Sequence, residues 1–378
     1  MKPVRRAVLI RLLIYLSILG FWAIYILPQK GKKPEQEQED TSREKPYQEN
    51  RSAAGPLDTN DPKSLDQSIG TSKVTPTPDQ EVSELFTPIQ FSANQLQSWL
   101  DQKKGNPSQL VQAKIVAGML LNDAEMIRAG VKSDPGNPQS AYIGATHDSF
   151  SQEEQLQYSR QFFQNAPENA LASYLYAARL FESGDQNAAI RVLNESKDRQ
   201  LVDDYSLATK QFSEDAYLHA GASELSAKFN SWASLPKPYL RDLLSFAGEL
   251  DDVADSLPPS EAKSLRQVTA SMGMKTRQSV ATGSIVEQLA GLAIEEKSMD
   301  GMGLNELSPY DGMTTREVKE SIQQEREEIK TVLKQLGLAT LIRTNPDLVE
   351  AYVDNIWKIG ELEAVKRLIQ NANNDPPN

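Results

Sequence analysis

The residue types able to carry chemistry are few and scattered. Acids occur in adjacent pairs at Asp203-Asp204, Asp251-Asp252, Glu295-Glu296 and Glu327-Glu328, but neighbours on a helix diverge by about 100° and do not converge on one bond. Histidine occurs only at His147 and His219, too far apart in the chain to suggest a metal cluster or a Ser-His-Asp relay, so each reads as a surface or helix-end residue. Cysteine is absent, which removes disulfides, thiolate metal sites and thiol nucleophiles. Met272, Met274, Met299, Met302 and Met313 share one stretch, and thioethers are soft ligands for copper(I). With no histidine or cysteine beside them, the expectation is flexible packing instead. The phosphate-loop, H-E-x-x-H and G-x-S-x-G patterns are missing. The reading is a non-enzyme with no catalytic residue, no metal and no cofactor. The alternative is a membrane-tethered hydrolase of a cell-envelope polymer whose carboxylates meet across a groove without a motif.

Composition narrows the partners. The 378 residues carry a formal net charge of −12, and phosphate-rich ligands require a cationic face. Nucleic acid is therefore not an expected partner. An apolar share of 39% with 24% charged residues fits a folded protein diluted by a polar linker.

The elements that would position any site begin with Val8–Leu27, an apolar run whose single charge is Arg11. A spanning helix needs roughly 20 apolar residues; Tyr15, Trp22 and Tyr25 suit the interface, and Pro28 with Gly31 ends the run. No small-residue pair follows Gly20 as a cleaved signal would require. Residues 1–28 therefore read as an uncleaved anchor, with a cleaved leader or an organellar presequence as the competing readings. Basic residues flank both ends, so the short tail ahead of the run sets the expectation: a single-pass membrane protein with its soluble part on the non-cytoplasmic side. Residues 29–91 are rich in Gln, Glu, Lys, Ser, Thr and Pro, too polar to offset ordering entropy, and are expected to be a disordered linker.

From Ser92 onward, a fitting cap ahead of Leu96, Trp99 and Leu100, almost every segment has helical period and the fold class reads as all-α. Turn signals recur at Asn106-Pro107, Asn137-Pro138 and Ala166-Pro167-Glu168-Asn169, about 31 or 32 residues apart, near the period of a helix pair. Aligning Asn137 with Asn169 sets Tyr142 on Tyr174, Ile143 on Leu175 and Ala145 on Ala177. The clearest unit is Pro167–Ser196, with one apolar face through Leu171, Tyr174, Leu175, Ala178 and Phe181, a break at Ser183-Gly184-Asp185, and Ala188, Ala189, Val192 and Leu193 after it.

This unit resembles a tetratricopeptide repeat. The matching residues are Ala177 at the helix crossing, Gly184 at the turn, Ala189 in the second helix and Leu193 at its bulky position; Ser173 stands where a large aromatic is usual, and no proline follows Ser196. The domain expectation is repeats over 92–200, further helices over 201–298, a Met/Gly-rich loop at 299–313, and C-terminal helices over 314–378 ending in a repeat-like cap. Leu207–Ser234 and Tyr239–Leu257 read as long helices separated by Leu235-Pro236-Lys237-Pro238. A charged helix over 314–336, apolar at Val318, Ile322, Ile329, Val332, Leu333 and Leu336, packs on the domain by a narrow stripe or, alternatively, forms a homo-oligomer seam.

The resemblance implies a solenoid-like domain whose first helices line a face for a protein or peptide partner. The residues that would point there are Tyr142, Tyr174, Phe181, Glu182, Trp357 and Lys358, with inter-helix core as the competing assignment for Tyr174 and Trp357. The functional expectation is a membrane-anchored scaffold or assembly factor.

Overall fold

The computed structural model describes residues 89, 91–233, 236–278, 283–310, 312–338 and 346–374. The expected anchor, 1–28, and nearly all of the expected linker, 29–91, lie outside the described residues. Among the described residues the fold is all-α, with two isolated bridges in place of strands, Asn169 to Leu201 and Leu307 to Thr314. None of these helices is long and apolar enough to cross a membrane.

Seven helices form the first stack: α1 Ala93–Lys103, α2 Pro107–Leu121, α3 Ala124–Ser133, α4 Pro138–Thr146, α5 Gln152–Asn165, α6 Ala170–Glu182 and α7 Gln186–Glu195. Each starts where a short polar side chain takes up a free backbone N–H. Ser92 and Gln95 make a reciprocal capping box for α1. The recurring asparagines of the sequence are caps: Asn106, Asn137 and Asn169 accept from the first-turn N–H groups of α2, α4 and α6. Gly184 turns α6 into α7 at φ +90°, a conformation that costs glycine nothing.

Helices adjacent in the chain pack against one another, so the helix-pair arrangement of a generic helical repeat is present. Small residues set the spacing. Ala177 and Ala189 are fully buried where α6 and α7 meet, and a Cβ on Gly118 or Gly130 would come within 2.7 Å of Ile127 or Ile115 across the α2–α3 pair. Leu171, Tyr174 and Leu175 of α6 lie in one continuous core with Tyr142, Ile143 and Phe162.

The rest of the chain adds α8 Ser206–His219, α9 Glu224–Ala233, α10 Tyr239–Ser256, α11 Pro259–Arg277, α12 Ile285–Lys297, α13 Thr315–Leu338, α14 Pro346–Ile359 and α15 Glu361–Asn374. The single long helix expected over 207–234 is instead the α8–α9 hairpin. Gly221, at φ +92°, ends α8, and Ala222 N–H reaches back to Tyr217 O at 3.0 Å, which stops the helix by satisfying its last carbonyls.

α11 and α12 cross closely enough that a Cβ on Gly273 would stand 2.7 Å from Gly291 O, and one on Gly291 2.5 Å from Gly273 O. α11 also seals the end of the first stack, because the buried ammonium of Lys275 donates to Ser196 O, Lys197 O and Arg199 O at 3.4, 2.9 and 2.6 Å, the carbonyls beyond α7. The apolar stripe of α13 is used inside the chain, where Val318, Ile322, Ile329 and Val332 pack with Ile285 and Leu292 of α12 and Val365 of α15. Those positions are closed to an oligomer seam in this conformation.

Candidate interaction site

The first helices of the three hairpins, α2, α4 and α6, form the face on which the sequence placed a partner. That face is covered by the chain itself. α8 lies across α1, α2 and the start of α4: Trp99 Nε1 donates to Asp215 Oδ2 at 2.7 Å, Lys103 meets the same oxygen at 2.6 Å, and Gln139 Nε2 donates to Thr209 Oγ1 at 3.0 Å. Burial works against the Asp215 carboxylate, but Lys103 and Trp99 more than compensate and hold its pKa below the ordinary value. α10 lies against α6, where Arg179 meets Asp242 at 2.5 Å and the Phe181 and Phe246 rings stack edge-on at 5.8 Å.

The six residues expected on the partner face separate accordingly. Tyr142 and Tyr174 are 4% and 1% exposed, and a side chain so buried presents nothing to a partner. Both belong to the core, since in each case the ring fills the space between a first helix and its neighbours. Tyr142 packs against Phe162, Tyr205 and Tyr239. Phe181 is half-buried under α10, and Glu182 pairs with Arg179 at 2.8 Å. Trp357, on α14, sits 5.0 Å beneath the Lys210 ammonium of α8, and Lys358 is exposed. The structure does not bring the six together.

Sequence reasoning missed the charged cluster that fastens this cover. Asp204, just before α8, and Lys237, just before α10, meet at 3.0 Å, and Lys237 reaches Glu287 Oε1 of α12 at 2.9 Å. Tyr239 donates to the same Glu287 oxygen at 2.6 Å, while Ser284 N–H and Oγ–H hold the other oxygen in a capping box. Burial alone would lower the Lys237 pKa, but Asp204 and Glu287 outweigh it and raise it above its usual range. Burial pushes the nearby Glu361 carboxyl up to about 7; it accepts from Ile285 N–H at 2.8 Å. The local signals were readable in Ser284-x-x-Glu287 and in a lysine between two prolines. The partners lie 33 and 50 residues from Lys237, a separation no periodicity reports.

A second surface is open to solvent. A groove of about 370 Å³ runs between the α10–α11 turn and the loop after α12, lined by Leu257, Pro259, Ala262, Met302, Leu307 and Pro309 with Lys263, Arg266 and Glu306 at its polar side. The loop is fixed by its own backbone: Thr315 N–H bonds Glu306 O at 2.9 Å, Arg316 N–H bonds Leu304 O at 3.0 Å, and Ser308 N–H bonds Met313 O at 2.9 Å. So fixed, it holds Leu304, Leu307 and Met313 in water at 45%, 62% and 39% exposure. Of the methionines in this stretch, Met302 packs against the cluster that holds Met299. Met272 and Met299 fill two separate cores, and no group of three or more His, Asp or Glu suited to a metal occurs among the described residues.

Beside the groove, Asp251 and Asp255 share the Arg266 guanidinium at 3.6 and 2.6 Å. Burial, with Asp300 and Asp255 nearby, lifts Asp251 to about 6. Comparison of the chain with models of protein families, with curated proteins and with solved structures finds no match in any of the three.

Proposed function

We propose that the chain is a membrane-tethered scaffold that captures an extended segment of a protein partner in the groove between α10, α11 and the 298–313 loop. One observation carries the reading: the loop is braced by backbone hydrogen bonds while it keeps Leu304 and Leu307 exposed beside an apolar trough. Apolar surface held out in water at such a site is the mark of an interaction surface, and the trough takes a large apolar side chain with a polar flank for Lys263 or Glu306. In this reading Val8–Leu27 is the tether, residues 29–91 the spacer, and the helical domain works on the non-cytoplasmic side, without a cofactor or a catalytic step. The Val8–Leu27 run supports the membrane part and the repeat-like helix pairs support the scaffold part.

The test is a photo-reactive residue in place of Lys263, with the full chain in its native membrane. A discrete crosslinked partner that disappears with Leu307→Asp is the expected result. Crosslinks that persist unchanged in Leu307→Asp, or none at all, would overturn the groove as the capture site. Substituting Tyr174 would not serve, because that ring is core.

A further inference from the structure

The open groove between α10, α11 and the 298–313 loop is electrically uneven. Asp255 at the end of α10, Lys263 and Arg266 on α11, and Glu306 on the loop line it, and by formal charge these cancel. Their availability differs. Arg266 is engaged inside the protein, where Nη2 lies 2.6 Å from Asp255 Oδ1, 3.6 Å from Asp251 Oδ1 and 3.3 Å from Asp300 O. Lys297, the other cation in this cluster, pairs with Asp300 at 3.1 Å. Among the described residues, Asp252, Lys263 and Glu306 are exposed and make no ion pair, and Asp252 acts on Lys297 through space. The acids Asp251, Asp252, Asp255, Asp300 and Glu306 are thus answered only by Lys263, Arg266 and Lys297. The surplus is felt at Asp251, where burial, then the charges of Asp300 and Asp255, raise the carboxyl to about 6.

Two of these carboxylates keep room for a donor. The Asp255 side chain is 60% exposed, and its Oδ2 makes no hydrogen bond among the described residues. Gly301, at φ +73°, passes so close that a Cβ would stand 3.3 and 3.6 Å from the two Asp255 oxygens; any side chain there would crowd a carboxylate that the bare backbone leaves open. On the loop side, Glu306 extends from a backbone fixed by Thr315 N–H. Both acids share the groove with the apolar surface of Leu257, Ala262, Met302 and Leu307.

We propose that the partner segment taken by this groove is both apolar and basic: a large apolar side chain seats against Leu257, Ala262, Met302 and Leu307, and a neighbouring lysine or arginine donates to Asp255 Oδ2 or to the Glu306 carboxylate. This assignment rests on the groove being the capture site. Charge complementarity of this kind sets partner choice and encounter rate more than affinity. It also favours a protein segment over a bilayer, because surplus acid beside Leu304 and Leu307 repels the anionic headgroups that help to hold apolar side chains at a membrane surface.

The experiment uses the full chain in its native membrane, with a photo-reactive residue in place of Leu304, and reads the attached segment by mass spectrometry. The expected segment carries lysine or arginine beside a large apolar residue. Its yield should fall about 5-fold with Glu306→Lys and rise with Lys263→Glu, and both differences should shrink as added salt shortens the screening length. Unchanged hydrogen exchange in α10 and α11 would show that neither substitution acts by unfolding. An acidic segment, or yields that stay level or move the other way, would overturn the charge assignment while leaving the groove as a capture site. Crosslinks to lipid would overturn it in favour of a membrane surface. With no crosslink from the otherwise unaltered chain, the groove itself would fall, and this assignment with it.

Discussion

α6 and α8 are nearly equal in length, 13 and 14 residues, and they are held by different means. α6 buries ten positions, among them Leu171, Tyr174, Leu175 and Leu180, and touches core on every side. α8 buries five, most of them small or hydroxylic; Ala216, with the half-buried Phe212, joins the core of Leu96, Trp99 and Leu100, and Trp99–Asp215 and Gln139–Thr209 add polar contacts. Burying one large apolar side chain contributes about 1.5–3 kcal/mol, whereas a hydrogen bond that water can replace nets about 0.5–1.5. Equal helix length does not imply equal burial, and the chemistry of the inward stripe sets how much apolar surface each helix contributes.

The strongest test of that contrast lies at the base of the hairpin. Lys237→Met leaves the carboxylates of Asp204 and Glu287 buried without their shared cation, and denaturant unfolding should show a loss of about 3–5 kcal/mol. A loss under about 1 kcal/mol would mean that the base does not fasten the hairpin. In α6, Leu175→Ala should cost about 3–4 kcal/mol by the same measurement, since the residue is fully buried and its neighbours are fixed by packing.

Acidity probes the same base from the α15 side. Folded Glu361 keeps its proton up to about pH 7, against an ordinary value of 4.5. The folded state therefore binds more protons in that window, and stability should fall by up to about 3 kcal/mol as pH rises through it. Unfolding of Glu361→Gln should be flatter over that range, and an unchanged slope would remove Glu361 as its cause. The smallest effect belongs to α8. Thr209→Val strips the acceptor from Gln139 and should cost about 1 kcal/mol, visible mainly as faster exchange within α8. A cost equal to that of Leu175→Ala would erase the distinction between the two helices.

These contrasts also decide what can be read from the chain. Asn106, Asn137 and Asn169 announce their helices because a cap acts within one turn, and Gly184 announces its bend because φ +90° belongs to glycine. α8 reads as half of a longer helix because Gly221 within a helical pattern carries no local sign that it will adopt φ +92°. The partner face follows from the geometry of an open stack. Nothing in the spacing of Tyr142 or Tyr174 shows that α8 and α10 fold back over it, since those contacts join residues as far apart as Trp99 and Asp215.

The reach of Lys275 into the carbonyls after α7 bears on how such a chain can change over generations. A helical array lengthens by copying a unit and inserting it beside its twin. Here the last carbonyls of the array, at Ser196, Lys197 and Arg199, are claimed by one ammonium from α11, and a unit added after α7 would carry them away from it. Descendants that gain or lose a hairpin should do so ahead of α6, and the α7–α11 junction should keep its spacing.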